Sequence, residues 1–229
     1  MSTYNIPKLE KKLKKELDTE RFRHSVAVMY TGTALAMRWG CDLERTQVAG
    51  LLHDCAKCIP NDKKLRLCEQ NGIEVTQTER DNPFLLHSKL GAWMAKEKYG
   101  IEDEEILGAI TWHTTGRPGM TLMEKIIFLS DYIEPMRQKA QNLETIRYQA
   151  FIDLDRAVMM TLRDTLQYLR SGSRELDENT ELSYYYYRDL CDRKSPGKKA
   201  VGAEKAAAGT GTAGTGTEGI PEKSPDTEP

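Results

Sequence analysis

Val48-Ala49-Gly50-Leu51-Leu52-His53-Asp54-Cys55-Ala56-Lys57 is the stretch on which the fold turns. Val48, Ala49, Leu51 and Leu52 make the apolar side of a helix that runs directly into an adjacent histidine and aspartate. Neighbouring side chains on a regular helix diverge by about 100°. His53 and Asp54 therefore reach one ligand only if the helix ends there and points at it. The break at Ile59-Pro60-Asn61 agrees with such an end. Asp42, followed by Glu44 and Arg45, caps the start of this helix.

Outward from this helix, nearly every segment has helical period and no convincing strand is found. The pattern predicts helices over about 8–17, 20–38, 61–72 (with Asn61 as cap), 85–99, 101–113, 143–169 and 179–191, together with one that carries Asp131. Gly40 and Gly100 stand where left-handed C-terminal residues are expected. Glu102 to Glu105 place negative charge at the positive end of a helix. Thr121 and Glu124 form a capping box for the helix bearing Asp131, which Pro135 ends. Thr114 to Gly119 must be a loop. The expected fold is all-α, a single helical-bundle domain over residues 1–193. Residues 194–229, mostly Gly, Thr, Ala, Pro, Lys and Glu, have too little apolar surface to offset ordering and are expected to be a disordered tail.

Of the 229 residues, charged ones nearly balance, for a formal net charge of −2. That excludes a nucleic-acid binder relying on a large positive field. The basic run Lys8 to Lys15 reads as the wet face of a first helix, because Leu9, Leu13 and Leu17 recur at a spacing of four. No membrane span or secretory signal is expected. The five cysteines are odd in number and irregular in spacing, which suits a reducing cytoplasm better than a disulfide framework. Cys55 and Cys58 form a C-x-x-C pair, but no second pair accompanies it and no strand precedes it. Tyr184 to Tyr187 are consecutive and cannot all face one way; some are core, and others line a groove or a partner, so a homodimer is a candidate assembly.

All four histidines, His24, His53, His87 and His113, fall in one series that Asp54 and Asp131 complete. Imidazoles with carboxylates suit iron, manganese, zinc or nickel better than calcium or magnesium. His24, His53, Asp54 and Asp131 make a four-ligand set that leaves coordination positions open, as catalysis requires. His87 and His113 have two readings, either ligands of a second ion bridged by Asp54 or contacts to a substrate phosphate. One metal is the favoured count. A lone histidine on a helix is more often core or surface than ligand. The ordered set near helix ends is what raises these. Lys57 shares a face with Asp54. Arg21 precedes His24 by about one turn, Arg117 lies in a glycine-flanked loop, and Arg137 follows Asp131. Guanidinium forks around a metal suit a polyphosphate.

Leu51-Leu52-His53-Asp54-Cys55-Ala56-Lys57 resembles the signature of the HD-domain metal-dependent phosphohydrolases. Arg21-Phe22-Arg23-His24-Ser25, His113-Thr114-Thr115-Gly116-Arg117 and Asp131-Tyr132-Ile133-Glu134-Pro135 together resemble the YqeK family. The resemblance implies symmetrical cleavage of diadenosine tetraphosphate into two ADP. It implies that His24, His53, Asp54 and Asp131 hold the metal, with iron the ion. Arg21, His87, His113 and Arg137 become candidate phosphate or nucleotide contacts, and the loop around Arg174 to Asn179 a candidate enclosure for the nucleotide. The leaving group, an ADP oxygen of low basicity, needs little protonation. Lys57 or His113 suffices as charge stabiliser or acid beside Asp54. Two other functions compete: an HD phosphohydrolase for a mononucleotide or alarmone, and a non-catalytic nucleotide sensor or scaffold. A scaffold, however, has no need of a His-Asp pair at a helix end.

Overall fold

The computed structural model describes residues 4–172 and 177–194, which fall within one unit, Met1–Lys194. Both the expected tail beyond Lys194 and Arg174 lie outside the described residues. The described residues are helical without a strand, as the apolar periodicity predicts. In chain order they form α1 (Ile6–Leu13), α2 (Thr19–Trp39), α3 (Leu43–Leu52), α4 (Asn61–Gln70), α5 (Gln77–Asp81), a 3-10 turn (Pro83–Leu86), α6 (His87–Tyr99), α7 (Glu104–Trp112), α8 (Leu122–Ile133), α9 (Leu143–Ala150), α10 (Leu154–Ser171) and α11 (Glu178–Lys194). α2 packs on α3 and α8, α7 packs on α3, α6 and α8, and α10 joins α8, α9 and α11. Leu35, Leu51, Leu52, Leu90, Ile110 and Ile126 fill the space between them, fully buried.

The close crossing of α2 and α3 positions the site. A Cβ on Gly50 would stand 2.9 Å from the Cα of Met29, so only glycine permits this approach. The crossing brings His24 on α2 beside His53 at the end of α3. Several caps match expectation. The Asp42 carboxylate accepts from Arg45 N at 2.8 Å, and Thr121 and Glu124 complete their capping box. Gly40 and Gly100 are left-handed at φ 73° and 72°.

Other boundaries differ from expectation, each for a local reason. α1 stops at Leu13, although Leu17 still turns inward. α4 takes Pro60 as its cap, which frees the Asn61 side-chain Oδ1 to accept from Lys64 Nζ at 3.1 Å. α5 was not expected; a second capping box, Thr76 with Glu79, starts it. α7 begins at Glu104 because the Asp103 carboxylate accepts from Glu105 N and Ile106 N. The helix expected over 143–169 is two helices, because Asp153 is extended and caps α10 through Arg156 N. α11 reaches Lys194, whose ammonium pairs with Asp155 at 2.6 Å.

Candidate active site

α3 ends at Leu52, and residues 53–58 continue as turns, so His53 and Asp54 stand at a helix end as their adjacency requires. His53, His87 and His113 sit at comparable places. His53 and His113 cap the C-termini of α3 and α7, and His87 follows the 3-10 turn. In each, the ring Nδ1–H donates to the carbonyl three residues earlier. The distances are 2.8 Å from His53 to Gly50, 2.6 Å from His87 to Phe84 and 2.7 Å from His113 to Ile110. A carbonyl only accepts, so the proton is fixed on Nδ1 and each neutral ring presents an Nε2 lone pair to the interior.

These lone pairs converge on Asp54. Its Oδ1 lies 3.2 Å from His87 Nε2 and 3.4 Å from His113 Nε2, and its Oδ2 lies 3.7 Å from His53 Nε2. His87 and His113 Nε2 are 3.1 Å apart, and the Thr114 hydroxyl is 3.1 Å from both. Lys57 Nζ donates to His87 Nε2 at 3.0 Å and lies 3.4 Å from Asp54 Oδ1. On the outer side His24 spans two carboxylates. Its Nε2 is 3.0 Å from Asp131 Oδ1 and its Nδ1 is 3.2 Å from Glu134 Oε1. Glu134 is buried, and its second oxygen accepts from Met136 N at 2.6 Å.

Electrostatics follow burial and pairing. Burial pushes His53 and His87 down to about 4, against the pull of Asp54. Burial also opposes a charge on His24, but the hydrogen bond and charge of Asp131, with Asp54 and Glu134, outweigh it and raise its pKa. Asp54 and Asp131 are held well below the usual carboxylate range: burial works to raise them, but the surrounding imidazoles, and Arg137 at Asp131, prevail.

The residues fit a divalent metal. His24, His53 and Asp131 offer ligand atoms within 4.8 Å of one another, and so do His53, Asp54 and His113. His53 Nε2 and Asp54 Oδ1 are buried without a hydrogen-bond partner. Such orphaned acceptors are costly unless a cation meets them. Most atoms around them are acceptors too, and the nearby Lys57 ammonium, 3.4 Å from Asp54 Oδ1, donates to His87. Of the four expected ligands, His24, His53 and Asp131 form one grouping, and Asp54 falls in the second with His53 and His113, the two sharing His53.

A cavity of about 550 Å³ opens on the outer side, lined by Asp18, Arg21, His24, Asp54, Lys57, Asp131 and Arg137 among others. Arg137 donates to Asp131 Oδ1 at 2.9 Å, and Arg21 pairs with Asp18 at 3.2 Å. Two expectations need correction. His87 and His113, read either as second-ion ligands or as phosphate contacts, lie buried behind Asp54 and not on the cavity wall, with His113 in a ligand grouping with Asp54. Arg117 turns instead to the buried Glu124, with NH2 at 3.0 Å from Oε2 and 3.1 Å from Oε1, and so ties the 114–119 loop to α8. Glu134 and Thr114 were given no role from sequence. Glu134 follows Asp131 by three residues, one helical face apart, and that spacing was the available signal. Cys55 is buried, with its thiol pushed up to about 12 by burial, while Cys58 is exposed, so the C-x-x-C pair is not a shared site.

The HD-domain family profile matches residues 21–136, which include every expected metal ligand. The chain belongs to the HD-domain family. A relative from Bacillus subtilis named "Bis(5'-nucleosyl)-tetraphosphatase, symmetrical" is 35% identical over 172 residues, 75% of this chain and 91% of that protein. One of the same name from Halalkalibacterium halodurans is 38% identical over 176 residues, 75% of this chain and 91% of that protein. The crystal structure of a predicted HD superfamily hydrolase involved in NAD metabolism, from Clostridium acetobutylicum, superposes with a TM-score of 0.79 at 37% identity, covering 82% of this chain and 98% of that one. Within the family this chain is a YqeK-type hydrolase.

Proposed function

We propose that this protein hydrolyses diadenosine tetraphosphate at its central anhydride, one water giving two ADP, at a metal held by His24, His53, Asp54 and Asp131. The observation that carries the reading is a pair of adjoining ligand groupings, His24-His53-Asp131 and His53-Asp54-His113, that share His53 and leave His53 Nε2 and Asp54 Oδ1 buried without a hydrogen-bond partner. The relatives' shared name supplies the substrate. When bound, the metal supplies Lewis acidity and a water acidic enough to attack phosphorus at neutral pH. Iron is the metal we assign, as the family resemblance implies; the mixed imidazole and carboxylate donors suit it as they suit manganese, zinc or nickel.

The chain's own residues do the rest. Arg21, Lys57 and Arg137 border the cavity, where they bind and orient phosphate oxygens. Lys57, half-exposed beside Asp54, is placed to neutralise charge on the departing ADP oxygen. His87 and His113 position Asp54 from behind, and Glu134 positions His24. A homodimer through the exposed faces of Tyr185 and Tyr186 belongs to the same reading, and sedimentation of a monomer would remove it. So does a cytoplasmic site of action, which the five free thiols fit; no helix of the described residues is long and apolar enough to cross a membrane.

The test is an anaerobic purification with metal analysis, followed by chromatographic identification of products from diadenosine tetraphosphate. ADP alone, with iron retained, is expected. ATP plus AMP, or faster hydrolysis of mononucleotides than of the dinucleotide, would overturn it.

A further inference from the structure

A second cavity of about 680 Å³ lies against α2, the helix that carries His24. Ala27, Tyr30, Thr31 and Ala34 on α2 line it with Ile133, Pro135, Arg147 and Phe151. We propose that this groove seats one nucleoside of the dinucleotide, with its base against Tyr30 and Phe151. The proposal rests on the functional reading above and extends it from the phosphates to the rest of the substrate.

Three observations carry it. The first is continuity with the metal site. His24, Ala27, Thr31 and Ala34 recur at spacings of three and four, which places them on one face of α2. At 1.5 Å per residue the groove starts about 5 Å from the His24 level and runs to about 15 Å along the helix axis. A smaller hollow of about 380 Å³ shares His24 and Arg137 with the catalytic cavity, is lined also by Lys139, and includes Glu134 and Met136, the residues on either side of Pro135 in the groove wall. Outward from the metal ligands, then, come two cations and after them an apolar cleft. One arm of the substrate, from the central anhydride outward, has the same order: phosphate, phosphate, then sugar and base.

The second observation is chemistry. Tyr30 and Phe151 stand 62% and 40% exposed beside an otherwise apolar cleft, an arrangement that suits a flat π-system. The third is that the groove holds no available charge. Arg147 is its one charged lining residue, and its Nε donates to the Ile133 carbonyl at 2.8 Å. Its NH2 donates to the carbonyls of Glu134 and Arg137 at 2.8 and 3.0 Å. Those bonds hold the 133–137 segment in place and leave a surface for a base, not a phosphate. The wall is fixed further by Trp39 Nε1 and Arg38 Nε, which donate to Ala150 O at 2.8 Å and Phe151 O at 2.7 Å.

The experiment compares the wild type with Tyr30→Ala, Phe151→Ala and the groove-filling Ala34→Phe on diadenosine tetraphosphate and on adenosine 5'-tetraphosphate. The second substrate carries a single nucleoside, which the other side of the site can still accept. KM for the dinucleotide should rise roughly tenfold, the loss of about one base–aromatic stack, with kcat within about twofold. The advantage of the two-nucleoside substrate in KM should shrink by the same factor in all three variants. Unchanged KM in variants that fold and turn over would overturn the subsite. So would unchanged KM with a shift from dimer to monomer in sedimentation, which would give the groove to a second copy of the chain. Wild-type protein that fails to cleave the dinucleotide would sink the functional reading instead, a result distinct from either.

Discussion

His53, His87 and His113 are held by carbonyls three residues back in the chain, whereas His24 is held by Glu134, 110 residues away. The inner three are buried, with their tautomer set by backbone that the helix ends supply anyway. The outer one is partly exposed and depends on two carboxylates from α8 and its end. The inner side is thus a local device repeated three times, and the outer side is a tertiary one. Local devices survive small shifts of helix packing. The outer pair requires α2 and α8 to keep their distance, and it is there that the cavity opens to substrate.

The largest effect should come from the point where both sides meet. Asp54→Ala removes the carboxylate on which the inner lone pairs converge, and activity should fall by on the order of a thousandfold or more. Metal content measured on the same preparation should fall with it. Full activity in this variant would mean that the cluster is not the catalytic centre.

Glu134→Gln probes the outer support alone. Partners that orient a ligating imidazole typically contribute about 10–100-fold in metal affinity. A loss in that range, read by competition with a chelator, is expected while the fold and the inner histidines stay intact. No comparable variant exists for the inner side, because its supports are backbone atoms.

Gly50→Ala tests the crossing on which both sides rely. The added methyl meets Met29 backbone at 2.9 Å, not a flexible side-chain tip. Overpacking of this kind costs about 1–3 kcal/mol, or a drop of roughly 2–10 °C in Tm for a domain of this size. An unchanged Tm would show that α2 and α3 separate freely.

That contrast also explains what could be read in advance. His53-Asp54 at a helix end, the capping boxes and the left-handed Gly40 are local patterns with local causes, so residue spacing alone reveals them. The four proposed ligands share an order along the chain that points to one site. The commitment of Arg117 to Glu124 is different, since a glycine-flanked arginine looks equally suited to substrate. Only the burial of Glu124, set by packing of α8, decides it. The same holds for Thr114 between two histidines. The division of α9 from α10 depends on Asp153 leaving the helix to cap the next one, a choice that an amphipathic pattern running through 143–169 conceals.

In the metal-free protein the two sides respond oppositely to pH, in adjoining windows. His53 and His87 titrate near 4 when folded, below the roughly 6.5 of an unfolded chain. Their share of stability is therefore complete above about 6.5 and drains away as pH falls toward 4. His24 is raised by Asp131 and Glu134 in spite of burial. Its share is present below about 6.5 and is lost as pH rises through its folded value. The two windows adjoin at about 6.5 and do not overlap, so stability should rise from about pH 4 to 6.5 and fall above that as His24 loses its proton. Imidazole resonances followed by NMR in metal-free protein separate them: His24 should protonate first on acidification, and His53 and His87 only near pH 4. Titration of all three together would show that the inner rings are not shielded from water as their burial indicates.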